Sequence, residues 1–563
     1  MTRAEREGGP GRGRSSDAGN PELDPIELEV LRNALAAAAA EMDVTIWRTS
    51  RSTIVRELLD YSTAIFDRDG YNVAQSARIP QHLNSMGAGL LEIVRGFIPL
   101  EEWRPGDVIL CNDPYCGGQH LPDILALRPV FHHGERVAIV GTLCHHLDVG
   151  GITAGSYGAT ATEIFQEGLR IPPLKLYDGG KLNEAVLALI RQNVRKPAIL
   201  WGDLQSQIAS LAIGEANLRR LAERYGTARL LGGCTRILDG SERATRAMIG
   251  RMPDGRYEFA DMLDDDGISD APIRLHAAIE ITGEEMVVDL SGSAPQVAGP
   301  VNATLASSAS AVSFAVMACT DEPIPANAGC YRPVRVIAPE GLIVNARHPA
   351  PVANRIAVGH RLVNVLFGAL HQAVPDRIPA AYYGVSYVCS LQTVALDGER
   401  RVLVEIEIGG GGAHPREDGA NAYSCGMHNN ANIPIEMIES ETPLTIRRYG
   451  LRADSGGAGR HRGGLGLCRE WRIDAEEAIF TANLERFRSR PYGLAGGLPA
   501  ASGRLTLIRD GIETALRSKV GNLRLKRGDV IRLETSGGGG FGDPQERDSA
   551  AAELDLRLGY VAG

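Results

Sequence analysis

The feature that most constrains this chain is the loop-rich stretch between Cys111 and Gly151. It opens with NDPYCGGQHLPD (Asn112 to Asp123) and closes with CHHLDVGG (Cys144 to Gly151). Glycine and proline at this density force turns that present side chains instead of packing a core. The intervening and flanking segments, DVILC and RVAIVGTLC, read as strands. The first loop carries two Asp and one His, and the second two His and one Asp. Asp and His are common ligands of zinc, manganese and iron. The stretch reads as a metal-bearing site displayed on loops between strands.

His120 and Asp123 lie three apart across Leu-Pro, so one turn can aim both the same way. His145 ends a strand-like run, where strand meets loop and function concentrates. Asp60 follows the apolar pair Leu58-Leu59 and enters a strand. Asp60, His120, Asp123 and His145 together make a two-His, two-carboxylate set. Imidazole favours Zn, Mn or Fe over Mg or Ca. Such an ion acidifies a bound water or polarises a carbonyl. His146 is an alternative to His145, and since adjacent strand residues face opposite ways, only one of the two is expected to bind. The bland alternative is a plain turn at Asn112 to Pro114 with structural histidines.

Composition bounds the rest. The 563 residues allow two to four domains and a large core. The formal charge of −10 and the lack of a dominant Lys/Arg cluster argue against nucleic-acid binding. Nine scattered Cys without a CxxC pair argue against a disulfide framework or a Cys-type zinc finger and fit a reducing cytosol better. Neither a secretory apolar region nor a membrane-length apolar run is present, so a cytoplasmic protein is expected.

Residues 1–22 read as a disordered tail. A helix should follow, capped by Asp24 with Pro25 in its first turn and Glu27 completing a capping box. Leu28, Leu31, Leu35, Met42 and Ile46 give it an apolar face ending near Trp47. Residues 52–76 alternate like strands around a DRDG turn. Helices are expected within 183–225, strands within 255–290, and small-residue or apolar helices at 300–320 and 355–373. The acidic run Asp264-Asp265-Asp266 lacks the spaced ligands of an EF-hand and reads as a solvated turn. From about 400 the pattern is β-rich, with glycine runs near 409–412, 456–466 and 537–540 read as tight turns. The expected fold is mixed α/β (α+β) and multi-domain. A helical and metal-loop N-terminal half over 23–232 precedes a mixed domain over 233–400 and a β-rich domain over 401–563.

The segments LLDYSTAIFDRDG, IPQHLNSM, NDPYCGGQHLPD, HHLDVGG, ATEIFQEGLRIPP, GGGGAHPREDG, DSGGAGRHRGGLG and SGGGGFGDP occur in this order. The chain so resembles the hydantoinase B/oxoprolinase family from about residue 25 onward. The resemblance implies one divalent metal on Asp60, His120, Asp123 and His145. It also implies a hetero-oligomer with an A-type subunit that binds ATP with Mg. Consistent with that division, Gly179-Gly180-Lys181 is followed by Leu182 and is not a phosphate-binding P-loop.

His82, Asp148, Gln166 and Glu167 are the candidate catalytic residues around the ligands. His82 follows Pro80 in a loop and either faces the site or is structural. Asp148 and its glycine pair either act there or shape the loop. Gln166 and Glu167 precede a strand-like run and are placed for contact with substrate or partner. Arg170 is a candidate partner for a carboxylate. Cys111, Cys116 and Cys144 read as small core residues, with soft ligands as the alternative.

The expected activity is ATP-dependent opening of a cyclic amide such as a hydantoin, 5-oxoproline or a lactam. A subunit of a ketone carboxylase is the alternative within the family, and a scaffold subunit with a structural Asp/His cluster is the other.

Overall fold

The structure is a computed structural model that describes residues 22–320, 322–395 and 398–562. The tail expected over 1–22 lies, apart from Glu22, outside the described residues. Helix Pro25–Thr49 starts as its sequence dictates. The Asp24 carboxylate accepts from the Ile26 and Glu27 amides, and Glu27 reaches back to the Asp24 N–H. Leu31, Leu35, Met42 and Ile46 are buried against its neighbours.

A seven-stranded sheet organises the N-terminal part. Its order is Asn72–Gln75, Tyr61–Asp67, Glu135–His145, Asp123–His132, Val108–Cys111, Leu174–Asp178 and Lys181–Leu182. All six pairings are antiparallel. Helices Pro25–Thr49 and Pro197–Tyr225 pack on one face, and helix Pro80–Gly96 covers the other. Strand Tyr61–Asp67 is therefore buried along its whole length. The alternation expected from residue 52 starts too early, because Ser52 caps a single helical turn, Thr53–Arg56.

A four-stranded sheet of Gly255–Leu263, Ile273–Thr282, Glu285–Asp289 and Val334–Ile337 follows. Helix Arg355–Ala373 packs on it and against helix Leu305–Met317. Almost every residue of helix Arg355–Ala373 is buried. The C-terminal part holds a four-stranded and a five-stranded sheet that share one core, with Leu391 and Phe480 of the first and Trp471, Ile531 and Leu533 of the second. Gly232, the expected boundary, lies inside helix Thr227–Ile249, and residue 400 begins a strand paired with Tyr387–Val394. No helix among the described residues is long and apolar enough to cross a membrane.

Two sequence expectations are corrected. Asp264, Asp265 and Asp266 are buried, not solvated. Asp264 accepts from the Phe487, Arg488 and Ser489 amides, Asp266 from the Gly299 amide, and Lys519 lies 3.5 Å from Asp265. The carboxylates replace missing backbone acceptors between distant segments. The glycine runs are likewise more than the tight turns expected. Gly464 donates to Gly411 O, Gly538 to Gly464 O and Gly457 to Gly538 O, at 2.8–2.9 Å. A Cβ on Gly538 would sit 1.9 Å from Gly411 O, and one on Gly463 1.8 Å from Gly538 O. These backbones touch directly, and only glycine permits that approach.

Gly538→Ala should lower the unfolding midpoint, costing at least about 1–3 kcal/mol through overpacking. Gly232→Ala, at an exposed helix position with open space around the new Cβ, should raise it by about 0.5–1 kcal/mol. Thermal or urea denaturation reads both, and equal shifts would contradict the backbone-contact account.

Candidate metal centre

The hairpin Asp123–His132/Glu135–His145 sets Asp123 directly across from His145. Cross-strand partners share a face, so both side chains point to the same side. His120 joins them through the turn before the strand, where the Asp123 N–H donates to His120 O. Asn112 fixes this loop by donating to Leu121 O and Leu169 O while accepting from the Ile171 amide. His120 Nε2 is then 3.0 Å from Asp123 Oδ1 and 3.1 Å from His145 Nδ1, and His145 Nδ1 is 3.1 Å from Asp123 Oδ1. His146 turns the other way, to Gln207 Oε1 at 3.0 Å. Strand alternation thus separates the two neighbouring histidines.

The three atoms form an arrangement that fits a metal. Edges of about 3 Å suit bonds of about 2.0–2.2 Å to imidazole and carboxylate. His120 Nδ1 lies 3.2 Å from Ala353 O. Donating there fixes the tautomer and leaves Nε2 as a free lone pair. Burial, helped by Arg355, pushes the His120 pKa down to about 3, so the ring is neutral and ready to ligate. Burial opposes ionisation of Asp123. The Arg355 guanidinium outweighs it and holds the carboxyl well below its usual range. Arg355 Nη2 donates to Asp123 Oδ2 at 2.7 Å, leaving Oδ1 for the cluster.

A small cavity of about 20 Å³ opens on this group. Asp60 lines it but lies outside the compact group of three. His82 also lines it, with Nε2 3.6 Å from Asp60 and 3.7 Å from Asp123. It sits in the first turn of helix Pro80–Gly96, not in a loop.

The other candidates fall outside the lining. Asp148 accepts from the Gly150, Gly155 and Arg195 amides and pairs with the Arg195 guanidinium, so it shapes its loop. Gln166 is half-buried and accepts from the Thr162 amide. Glu167 is buried and accepts from the Ala353 amide at 2.8 Å, behind the carbonyl that faces His120. Arg170 pairs with Asp113 at 2.6 Å. Cys111 and Cys144 are buried in the core, where burial raises their thiols, and Cys116 is half-buried and pushed up to about 12.

Sequence reasoning missed the other polar residues of the lining: Gln81, Tyr157, Arg355, Ser386, His428 and Asn430. The HNN run at His428 in a polar loop was the one available signal. Nothing local marks Arg355, which reads as one residue of an apolar helix.

His120→Ala should abolish stoichiometric metal binding, and His146→Ala should leave it intact, as counted by inductively coupled plasma mass spectrometry. Glu167→Ala should weaken metal affinity about 10- to 100-fold by freeing Ala353. Burial raises the Glu167 pKa to about 8 from the ordinary 4.5. The folded state then holds a proton that the unfolded chain releases. Its contribution to stability is full below about pH 4.5 and lost as pH rises through about 8. Glu167→Gln should flatten the fall in melting temperature across that window, and an unchanged slope would contradict the assignment.

Comparison with known proteins agrees with this architecture. The profile of the Hydantoinase B/oxoprolinase family matches residues 24–544. An uncharacterized protein of Methanocaldococcus jannaschii is 38% identical over 529 residues, covering 93% of this chain and 92% of the relative. The caprolactamase subunit beta of Pseudomonas jessenii is 34% identical over 96% of this chain and 94% of its own length. The crystal structure of the ATP-dependent caprolactamase from that organism superposes with a TM-score of 0.89 over 96% of this chain and 95% of that one. Nucleotide-free acetone carboxylase has the same fold, with a TM-score of 0.89 at 20% identity over 96% of this chain and 78% of that one. The chain belongs to the hydantoinase B/oxoprolinase family.

Proposed function

We propose that this chain is the B-type subunit of an ATP-dependent cyclic amidohydrolase. It opens a hydantoin, 5-oxoproline or lactam ring at a divalent Zn, Mn or Fe ion after an A-type partner has activated the ring with ATP. The observation that carries the reading is the pre-arranged triad of His120, Asp123 and His145, with one imidazole tautomer fixed and the carboxylate anchored by Arg355. A bound divalent ion supplies Lewis acidity towards a carbonyl and lowers the pKa of water towards neutrality.

The remaining residues position and shield. Ile79, Ile356, Ile406 and Tyr157 give the cavity apolar walls that exclude bulk water. Tyr157 stacks on His145 at 5.5 Å and holds that ring in place. His82 stands between Asp60 and Asp123, where its neutral imidazole can orient a nucleophilic water or the ring nitrogen. Cyclic amides are weak electrophiles, so prior activation is needed. The chain has no P-loop, which supports placing ATP on a partner. The names of the relatives, a subunit beta and an ATP-dependent caprolactamase, support both the partner and the substrate class. The likeness to acetone carboxylase keeps a ketone carboxylase as the second reading.

The test is co-purification with the A-type subunit, followed by ATP with hydantoin, 5-oxoproline or ε-caprolactam. Ring opening coupled to ADP release should require both subunits and fall to background in His120→Ala. Bicarbonate-dependent consumption of acetone or acetophenone would shift the assignment to a carboxylase. Full activity of His120→Ala in a metal-free complex would favour a scaffold.

A further inference from the structure

Helix Pro25–Thr49 is apolar on two opposite sides. Leu31, Leu35, Met42 and Ile46 are buried against the sheet and the neighbouring helices, as a surface helix requires. The side turned to solvent should then be polar. It carries instead Ile26, Val30, Ala37, Ala40, Val44 and Trp47, all exposed, with Ile26 at 77% and the other three large side chains at 41–44%. With Asn33 included, these residues follow one another in alternating steps of four and three. That spacing draws one seam along the whole helix, the pattern of a helix that packs on a second helix. Asn33, the one polar member, spends its amide within the helix, donating to the carbonyl and the carboxylate of Glu29 at 3.0 Å. A helix apolar on all sides is covered on all sides.

Helix Pro197–Tyr225 widens the seam. It packs alongside, with Ser210 Oγ donating to Met42 O and Asn217 Nδ2 to Glu41. Its own outward side shows Ala209, Ala212, Ile213 and Ala216. A 25-residue helix is about 37 Å long and two packed helices are about 20 Å across, so the face offers about 700 Å². Each partner in a standard stable interface buries about 800 Å².

Pattern and charge identify the occupant as a second copy. Residues 1–21 hold no Leu, Ile, Val, Phe, Trp or Tyr with which to fill the seam. The seam itself reads alike from either end: Ile26 and Val30, then the small centre at Ala37 and Ala40, then Val44 and Trp47. Across a twofold axis residue i meets j and j meets i. Antiparallel copies therefore set Ile26 and Val30 over Val44 and Trp47 of the other copy, while alanines let the backbones approach at the centre. Glu27 and Arg48 flank the seam at opposite ends, 21 residues and so three heptads apart. Glu27 uses only Oε2, for the Asp24 N–H and Arg229, and its side chain is 39% exposed. Arg48 is exposed and makes no ion pair among the described residues. Antiparallel pairing brings each Arg48 to the Glu27 of the other copy and opposes the two helix dipoles. Parallel pairing would set like charge on like.

We propose that this seam is the surface on which two copies of the chain pair, helix Pro25–Thr49 against its own copy, antiparallel about a twofold axis. The outward alanines of helix Pro197–Tyr225 complete the contact. The pairing does not rest on the proposed activity.

The test is the molar mass of the purified full-length chain, by light scattering and sedimentation equilibrium over a concentration series. Wild type should weigh twice one chain. Ala37→Glu places two carboxylates face to face at the axis and suits an exposed helix position. It should weaken pairing at least about 10-fold with helical content unchanged. Val44→Glu, the second variant should Ala37→Glu not fold, should act in the same direction. Direction is read with a short bis-maleimide against a wild-type control. Ile26→Cys mixed with Trp47→Cys should cross-link, and Ile26→Cys alone should not. A wild type that is monomeric at every concentration overturns the proposal, as does a dimer that both glutamate variants leave intact. Ile26→Cys cross-linking to itself overturns the antiparallel arrangement. Loss of A-type subunit binding in Ala37→Glu, with self-association kept, would give the face to that partner and overturn the pairing too.

Discussion

The structure depends on how Asp123 divides its two oxygens. Oδ1 faces His120 and His145, and Oδ2 takes the Arg355 guanidinium from 232 residues away. An isolated carboxylate buried this deeply would cost several kcal/mol. The Arg355 pair offsets that cost and joins the metal-loop hairpin to a helix that is buried along almost its whole length. It also leaves a single oxygen pointing at the imidazoles. The donors are therefore in place before an ion arrives, so binding does not have to order them.

Much of the triad was legible because it is local. One turn spaces His120 and Asp123, and one antiparallel hairpin sets Asp123 opposite His145. The strand period then decides between His145 and His146, a choice the sequence alone left open. Asp148, Gln166 and Glu167 lie close to the ligands along the chain yet outside the cavity. Nearness in sequence misleads there, because Asp148 is consumed by its own loop and by Arg195. Arg355 and His428 were invisible for the opposite reason. Their roles come from contacts across 232 and 42 residues, to Asp123 and to Ser386, which no local pattern encodes.

The two misread C-terminal features share one cause. Composition flags glycine and acidic runs as turns, but burial depends on what packs against them. Gly410 and Gly538 have no left-handed φ to demand glycine. Their constraint is a carbonyl or amide of another chain segment within about 2.6 Å of a notional Cβ. Asp264 similarly looks like a solvated acid until the amides at 487–489 close on it. In both cases the chain substitutes backbone or carboxylate contacts for an ordinary apolar core.

That substitution reaches the cavity. Tyr383 N–H donates to Gly410 O and Tyr423 N–H to Gly409 O, so the glycine contacts fix the segments that carry Ser386 and His428. Ala431 N–H and Asn430 Nδ2 then bond to Leu58 O, two residues before Asp60. The glycine runs thus place one wall of the site as firmly as the N-terminal hairpin places the other. A pocket built this way cannot be assigned to one half of the chain. Its ligand donors come from the first half, and the donors facing them come from residues 355–428. Their separation is held by backbone contacts that tolerate no added side chain, which is the rigidity that a pre-arranged ligand cluster requires.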